Sequence, residues 1–166
     1  MTDLAALLQN FRRSAFRLET LERYTVPQEA EWFATWRRTS RLPELTPEND
    51  SWLRRVRDHT RAGRVMQRVR VVSTPLTDYE RFELALFPPS LEAGEDIRVI
   101  SRSVLRSTLV LREDFWLFDR QTAIMLRYDS AGTFLSAEPG QPGLCQSQCD
   151  EALARSIPLK EFLATL

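Results

Sequence analysis

The sequence predicts an α+β fold: N-terminal helices packed on a mostly antiparallel sheet, with a C-terminal β-meander and short closing helices. Three observations carry that expectation. Up to Gly63 apolar residues recur at spacings of three and four, and beyond it the period drops to two. Between Phe115 and Ala137, short alternating runs are separated by turn residues. A length of 166 residues suits a single domain. Within it we expect a helical part of about 1–63, a sheet-rich part of about 64–138 and a helical tail at 144–166.

A first helix is expected over Leu4–Leu18, where Leu4, Leu7, Leu8, Phe11, Ala15 and Leu18 form one apolar stripe. A second starts at Pro27, a residue tolerated at the first helical position, and runs to about Arg38 with Trp32, Phe33 and Trp36 inward. Ser40–Pro43 connects it to a third helix, capped by Thr46, begun by Pro47 and stopped at Gly63. Val65, Val69 and Val71 then alternate with Arg64, Met66, Arg68 and Arg70, a strand with one apolar face.

Thr77-Asp78-Tyr79-Glu80 has the capping-box pattern, in which Thr and Glu satisfy free N–H groups at a helix start. A helix from Asp78 to about Leu86 follows, ended by Pro88-Pro89; the alternation of Phe82, Leu84 and Leu86 leaves a strand as the rival. Asp96–Ile100, Phe115–Phe118, Ala123–Tyr128 and Thr133–Ala137 read as strands, with turns at Asp119–Thr122 and Asp129–Gly132. Pro139–Gly143 breaks the chain before two short helices around Ser147–Arg155 and Pro158–Leu166.

Composition narrows the function classes. At 43% hydrophobic the chain has enough apolar surface to fold. It has no run approaching the roughly 18 apolar residues of a membrane span and no signal-peptide layout. Two cysteines cannot form a disulfide scaffold, so a reducing cytoplasm is expected. Twenty-three basic and 23 acidic side chains cancel. All the basic ones but Lys160 are arginine, a bias that GC-rich coding explains. The charges are also sorted: residues 1–72 sum to +5 and residues 73–166 to −5.

The basic residues concentrate in Trp52–Arg70. Arg54, Arg57 and Arg61 share one helix face, a stripe able to meet phosphates, or else a solvated face in which Asp58 bridges Arg54 and Arg61. Arg68 and Arg70 lie on one strand face, and the next segment, Asp78–Asp96, is acidic. Either the two segments neutralise each other, or they frame a polar groove in which arginines hold an anion and acids a metal. The groove residues are Arg68, Arg70, Tyr79, Arg81, Glu83 and Arg98, with Glu83, Glu95 and Asp96 as candidate acids. Glu83 borders an apolar face, where burial raises a carboxyl pKa unless a partner opposes it.

His59, the lone histidine, reads as a capping or edge-packed residue, and no G-x-S-x-G nucleophile motif accompanies it. Cys145 and Cys149 read as two free thiols, with a reversible disulfide as the alternative, and no metal-ligand set or cofactor motif is present. Phe115, Trp116 and Phe118 offer aromatic surface to the core or, through Trp116, to a partner.

Several phrases in order carry a resemblance: Phe16-Arg-Leu-Glu-Thr-Leu21, Val26-Pro27-Gln-Glu-Ala30, Trp52-Leu-Arg-Arg-Val56, Arg68-Val-Arg-Val-Val72 and Leu76-Thr-Asp-Tyr-Glu-Arg-Phe-Glu-Leu-Ala85. Ala93-Gly-Glu-Asp-Ile-Arg98, Asp114-Phe-Trp-Leu-Phe-Asp119 and Tyr128-Asp129 with Gly132 continue it. Together they resemble an actinobacterial family of small proteins classed as a domain of unknown function (DUF6879). Its members are often encoded beside helix-turn-helix regulators, which implies a regulatory role. The resemblance spans about residues 11–138; Ser101–Leu111, which looks extended, and the cysteine-bearing tail depart from it.

The expected function is a cytoplasmic regulatory or protein-interaction protein partnering a helix-turn-helix regulator, with no membrane association and no assigned oligomeric state. A small-molecule or nucleotide-handling enzyme using the polar groove is the alternative. Direct nucleic-acid binding through Arg54, Arg57 and Arg61 is the third reading.

Overall fold

The computed structural model describes residues 3–107 and 113–166. One mixed sheet organises the molecule, with strands β1 (Ser14–Glu19), β2 (Val65–Val72), β3 (Asp96–Ser101), β4 (Asp114–Phe118), β5 (Thr122–Tyr128), β6 (Phe134–Pro139) and β7 (Ile157–Pro158). Their spatial order is β6-β5-β4-β1-β2-β3-β7. The β1–β2 and β2–β3 pairs are parallel and the other four antiparallel. The class is α+β, and the β4–β6 meander is as expected.

The helices are α1 (Leu4–Asn10), α2 (Pro27–Thr39), α3 (Ser51–Arg61), α4 (Asp78–Leu86), α5 (Pro88–Ala93), α6 (Pro142–Arg155) and α7 (Leu159–Leu163). One sheet face is apolar: Phe16, Leu18, Val69, Val71, Phe115 and Leu117 pack on Cys145, Cys149 and Ala152 of α6. The other face carries the remaining helices. Val56 of α3 and the leucines of α1 cover Ala15, Met66 and Trp116. Leu84, Leu91 and Leu159 cover Val72, Ile97 and Val99. Both parallel crossovers thus put their helices on the same face, as strands laid successively in one direction require.

The first expected helix is corrected. Leu4–Asn10 is helical, capped by Asp3 accepting from Ala6 N at 2.9 Å, but Ser14–Glu19 is a central strand. Ala15 and Leu18 fit a helical stripe, yet Leu18 faces α6 while Ala15 faces the other helices. The third helix begins at Ser51 rather than Pro47, because Asp50 supplies the cap, accepting from Leu53 N. Strand β2 is covered on both sides: Met66, Arg70 and Val72 are buried as well as Val69 and Val71, while Val65 at its start is exposed.

The capping box at Thr77 and Glu80 forms as expected, which decides for the helix over the strand. Helix α4 ends at Leu86 ahead of Pro88-Pro89, as expected, and the same pair opens α5, since proline suits a first turn. The Asp119–Thr122 turn uses left-handed Asp119 and Arg120, and the Asp119 carboxylate accepts from the backbone N–H groups of Arg12, Arg13 and Ser14. Arg102–Ser107 forms a 3-10 helix, not an extended segment; the rest of Ser101–Leu111 beyond it lies outside the described residues. At the tail, Pro142 rather than Ser147 starts α6, and Ile157–Pro158 pairs with β3 before α7.

Candidate functional site

Strand β1 alternates Phe16 and Leu18 toward α6 with Arg17 and Glu19 toward the helical side. The parallel register sets Arg17 beside Arg68 and Glu19 beside Arg70, and the antiparallel one sets Arg17 beside Trp116. Charge therefore occupies the middle of a buried sheet face, which holds only if each group is paired.

The pairing is dense. Arg68 donates to Glu95 through Nε at 2.8 Å and Nη2 at 3.4 Å, and to Glu19 through Nη1 at 3.0 Å. Arg70, with no exposed side-chain surface, donates to Glu83 and to the Val71 carbonyl, and its Nη2 has no partner among the described residues. Arg17 donates to Asp114 at 2.9 Å, to Tyr128 Oη at 3.1 Å and to the Leu18 carbonyl. Asp114 also accepts from Thr20 and Tyr24, and Glu95 from Ser90. The guanidiniums lie over rings: Arg68 over Phe87 at 4.9 Å and Trp52 at 5.5 Å, Arg70 over Tyr24 at 5.2 Å and Arg17 over Trp116 at 5.9 Å.

The titrations follow from this. Burial opposes the charge on Glu19, but Arg68 and Arg17 hold its carboxyl below the usual range. For Glu83 burial prevails over Arg70, aided by Glu19 and Glu29, and its carboxyl is pushed up to about 7. Glu29 on α2 is also raised by burial. Tyr79 Oη lies between the two, 3.1 Å from Glu29 and 3.4 Å from Glu83, so its single O–H is within reach of either carboxylate. Burial raises the Tyr128 hydroxyl to about 12.

A cleft opens above this floor. One cavity of about 310 Å³ is lined by Glu29, Trp32, Trp52, Trp116, Phe87 and the two arginines Arg17 and Arg68, among others. A second, of about 200 Å³, shares Glu29, Phe87 and both arginines and reaches Glu19, Tyr24, Tyr79, Glu83 and Tyr128. The aromatic walls come from α2, α3, β4 and, through Phe87, the junction of α4 and α5, so tertiary packing alone assembles them.

Of the residues expected at the groove, Arg68, Arg70, Tyr79, Glu83 and Glu95 converge. Asp96 does not: its side chain takes a bond from Gln67 at 3.0 Å on the α6 side of the sheet. Arg98 likewise turns to Ser156 at 2.9 Å, and Arg81 is exposed on α4. Trp116 is 7% exposed and faces the cleft rather than an open surface. Of the two alternatives, mutual neutralisation of the basic and acidic segments is what the contacts show: Arg68 is bonded to Glu95 and Arg70 to Glu83. Among the described residues no group of three or more His, Cys, Asp or Glu side chains is placed to hold a metal ion. The groups missed from sequence are Arg17, Glu19, Tyr24, Glu29, Asp114 and Tyr128. Alternation in Phe16-Arg17-Leu18-Glu19 was the available signal for the first two.

The remaining candidates are structural in their contacts. On α3, Arg54 donates to the Pro47 and Glu48 carbonyls, and Arg57 pairs with Asp58 at 3.0 Å and Glu48 at 3.5 Å. The expected Asp58 bridge between Arg54 and Arg61 is thus replaced by Arg57. His59 bonds the Leu8 carbonyl at 2.9 Å and stacks on Phe11, tying α1 to α3, and burial lowers its pKa. Cys145 and Cys149 are free and buried, and burial raises both thiols, Cys149 to about 11.

No helix among the described residues is long and apolar enough to cross a membrane. No curated protein matches this sequence. Residues 2–164 match the family model described as a domain of unknown function, and the chain belongs to that family, DUF6879.

Proposed function

We propose that this protein is a cytoplasmic, ligand-responsive regulatory protein whose cleft binds a small molecule. One observation carries the reading: a concave, aromatic-walled space lies directly over a preorganised polar floor. Trp32, Trp52, Trp116 and Phe87 supply apolar area, while Glu29, Gln28 and Asp50 supply polar atoms at its edge. Small-molecule sites combine these features, and their volumes run from about 300 Å³ upward. The floor is held by buried ion pairs, so it keeps its shape without a ligand.

A helix-turn-helix regulator is the partner in this proposal, and actinobacteria are the source. Both rest on the resemblance described above. Direct nucleic-acid binding has less support, because Arg54 and Arg57 are already bonded to Glu48, Asp58 and nearby carbonyls.

Three of the four tryptophans line the larger cavity, so intrinsic fluorescence reports its occupancy. A panel of small metabolites is titrated against the purified protein, with thermal melting in parallel. The reading expects at least one saturable fluorescence change with a raised melting temperature. A panel with no saturable response overturns it.

A further inference from the structure

The charge on the cleft specifies a ligand class. Three guanidiniums, Arg17, Arg68 and Arg70, face five carboxylates, Glu19, Glu29, Glu83, Glu95 and Asp114. Four of those acids bond the arginines directly. Of the buried donors left unpartnered, Arg70 Nη2 belongs to a residue that lines neither cavity, and Trp52 Nε1 is uncharged. Among the described residues no free cation therefore faces the cleft, and carboxyl groups outnumber guanidiniums five to three.

Glu29 is the acid that remains available. It is half-buried, lines both cavities described above, and among the described residues has Tyr79 as its one side-chain partner, through Oε2. A carboxylate accepts about four hydrogen bonds, so both oxygens can still receive donors from a ligand. Trp32, three residues on, shares its helix face and lines the larger cavity. Asp50, whose Oδ1 caps α3, adds a second carboxylate to that wall.

Building on the ligand-binding reading, we propose that the cleft binds a flat ring bearing an amidine-type edge. Its paired N–H donors meet the Glu29 carboxylate, and its faces are flanked by Trp32 and Trp52. A planar carboxylate accepts such an edge through two parallel bonds, the geometry that pairs it with arginine. A space of about 310 Å³ lies at the small end of ligand cavities and suits one or two fused rings. Burial raises the Glu29 carboxyl, and a cationic donor pair opposes that rise, so the ligand binds better above the Glu29 pKa than below it.

The test uses the wild-type protein with benzamidine, 2-aminobenzimidazole and benzoate, read by tryptophan fluorescence and calorimetry. Benzoate has the shape of benzamidine and the opposite charge. Both amidine probes are expected to saturate, with benzoate weaker by at least about 10-fold. Glu29→Gln, checked for native circular dichroism, is expected to weaken the amidine probes by about 10- to 100-fold, the loss of a charge-assisted hydrogen bond. Benzoate binding as tightly as benzamidine, or full amidine affinity in Glu29→Gln, overturns the class. If other compounds still saturate the cleft, the ligand-binding reading survives that result; if nothing binds, both fall. The benzamidine–benzoate comparison needs no variant and decides the matter even if Glu29→Gln misfolds.

Discussion

Replacing Asp114 by Asn removes one charge from the centre of the buried network while leaving the side-chain shape unchanged. Asp114 opens β4 with 1% of its side chain exposed. It accepts from Arg17 Nη2 at 2.9 Å, Thr20 N at 2.9 Å, Thr20 Oγ1 at 2.6 Å and Tyr24 Oη. An Asn there is neutral, and its amide group presents N–H toward groups that are themselves donors. Arg17, 7% exposed, cannot release its proton and loses its direct counter-ion. Breaking one side of a buried pair costs about 3–5 kcal/mol. For a chain of this size each kcal/mol moves the melting midpoint by roughly 2–4 °C, so a fall of about 6–20 °C is expected. Asp150→Asn is the control, since its partner Arg120 is 49% exposed and such a pair contributes below about 1 kcal/mol. Urea titration followed by circular dichroism gives both losses on one scale. In Arg17→Met/Asp114→Leu the uncompensated charge is gone, but Thr20 N, Thr20 Oγ1 and Tyr24 Oη still lose their acceptor, so only the part of the loss owed to the unpaired Arg17 should return. An Asp114→Asn loss no larger than the Asp150→Asn loss refutes the view that buried pairing holds this face together.

Glu83 makes stability depend on pH in a set direction. Its folded carboxyl sits near 7, above the ordinary 4.5, so the folded state keeps a proton that the unfolded chain has lost between those values. That contribution is complete below about pH 4.5 and fades as pH rises through 7. The wild-type minus Glu83→Gln difference should therefore fall across that window in urea midpoints; a difference that rises overturns the assignment. Subtraction also cancels His59, whose lowered pKa acts in the opposite sense. Gly94→Ala should cost more than Gly63→Ala: both have positive φ, but a Cβ at Gly94 meets Thr60 Oγ1 at 2.5 Å, whereas none of the described atoms lies within 4 Å at Gly63. About 1–3 kcal/mol is expected for Gly94, and equal losses by urea titration would contradict the packing. Finally, Arg54→Ala/Arg57→Ala/Arg61→Ala should leave probe binding in the cleft unchanged, and neither protein should be retained on DNA at low salt. Salt-sensitive retention of the wild type alone would move the third reading forward.

The local signals were legible wherever one short segment sufficed. Pro27 opens α2, Thr77 and Glu80 cap α4, and Asp119 and Asp129 begin the meander turns. Strand β1 was not legible despite the alternation in Phe16-Arg17-Leu18-Glu19, because Ala15 and Leu18 also continue the three-and-four spacing of the preceding leucines. Arg17 and Glu19 looked like the polar side of a helix, when they are the charged half of a buried face. The cleft shared this fate in part. Arg68, Arg70, Tyr79, Glu83 and Glu95 came from neighbouring segments of opposite sign and could be grouped. Glu29, Trp32 and Asp114 enter from distant elements without any local mark.

From the order of residues alone come the class of fold, the capping box of α4, the meander turns, and a chain whose basic first part balances an acidic second part. Which charges meet is a tertiary matter. Arg68 reaches Glu95 across 27 positions, but Arg17 reaches Asp114 across 97. Strand register and helix packing set those encounters, and neither leaves a trace in local composition. The neutrality is therefore readable as a sum in the sequence, whereas the structure resolves it into paired arginines with carboxylates in excess. That excess, facing a cleft walled by tryptophans, exists only once β1 lies between β2 and β4.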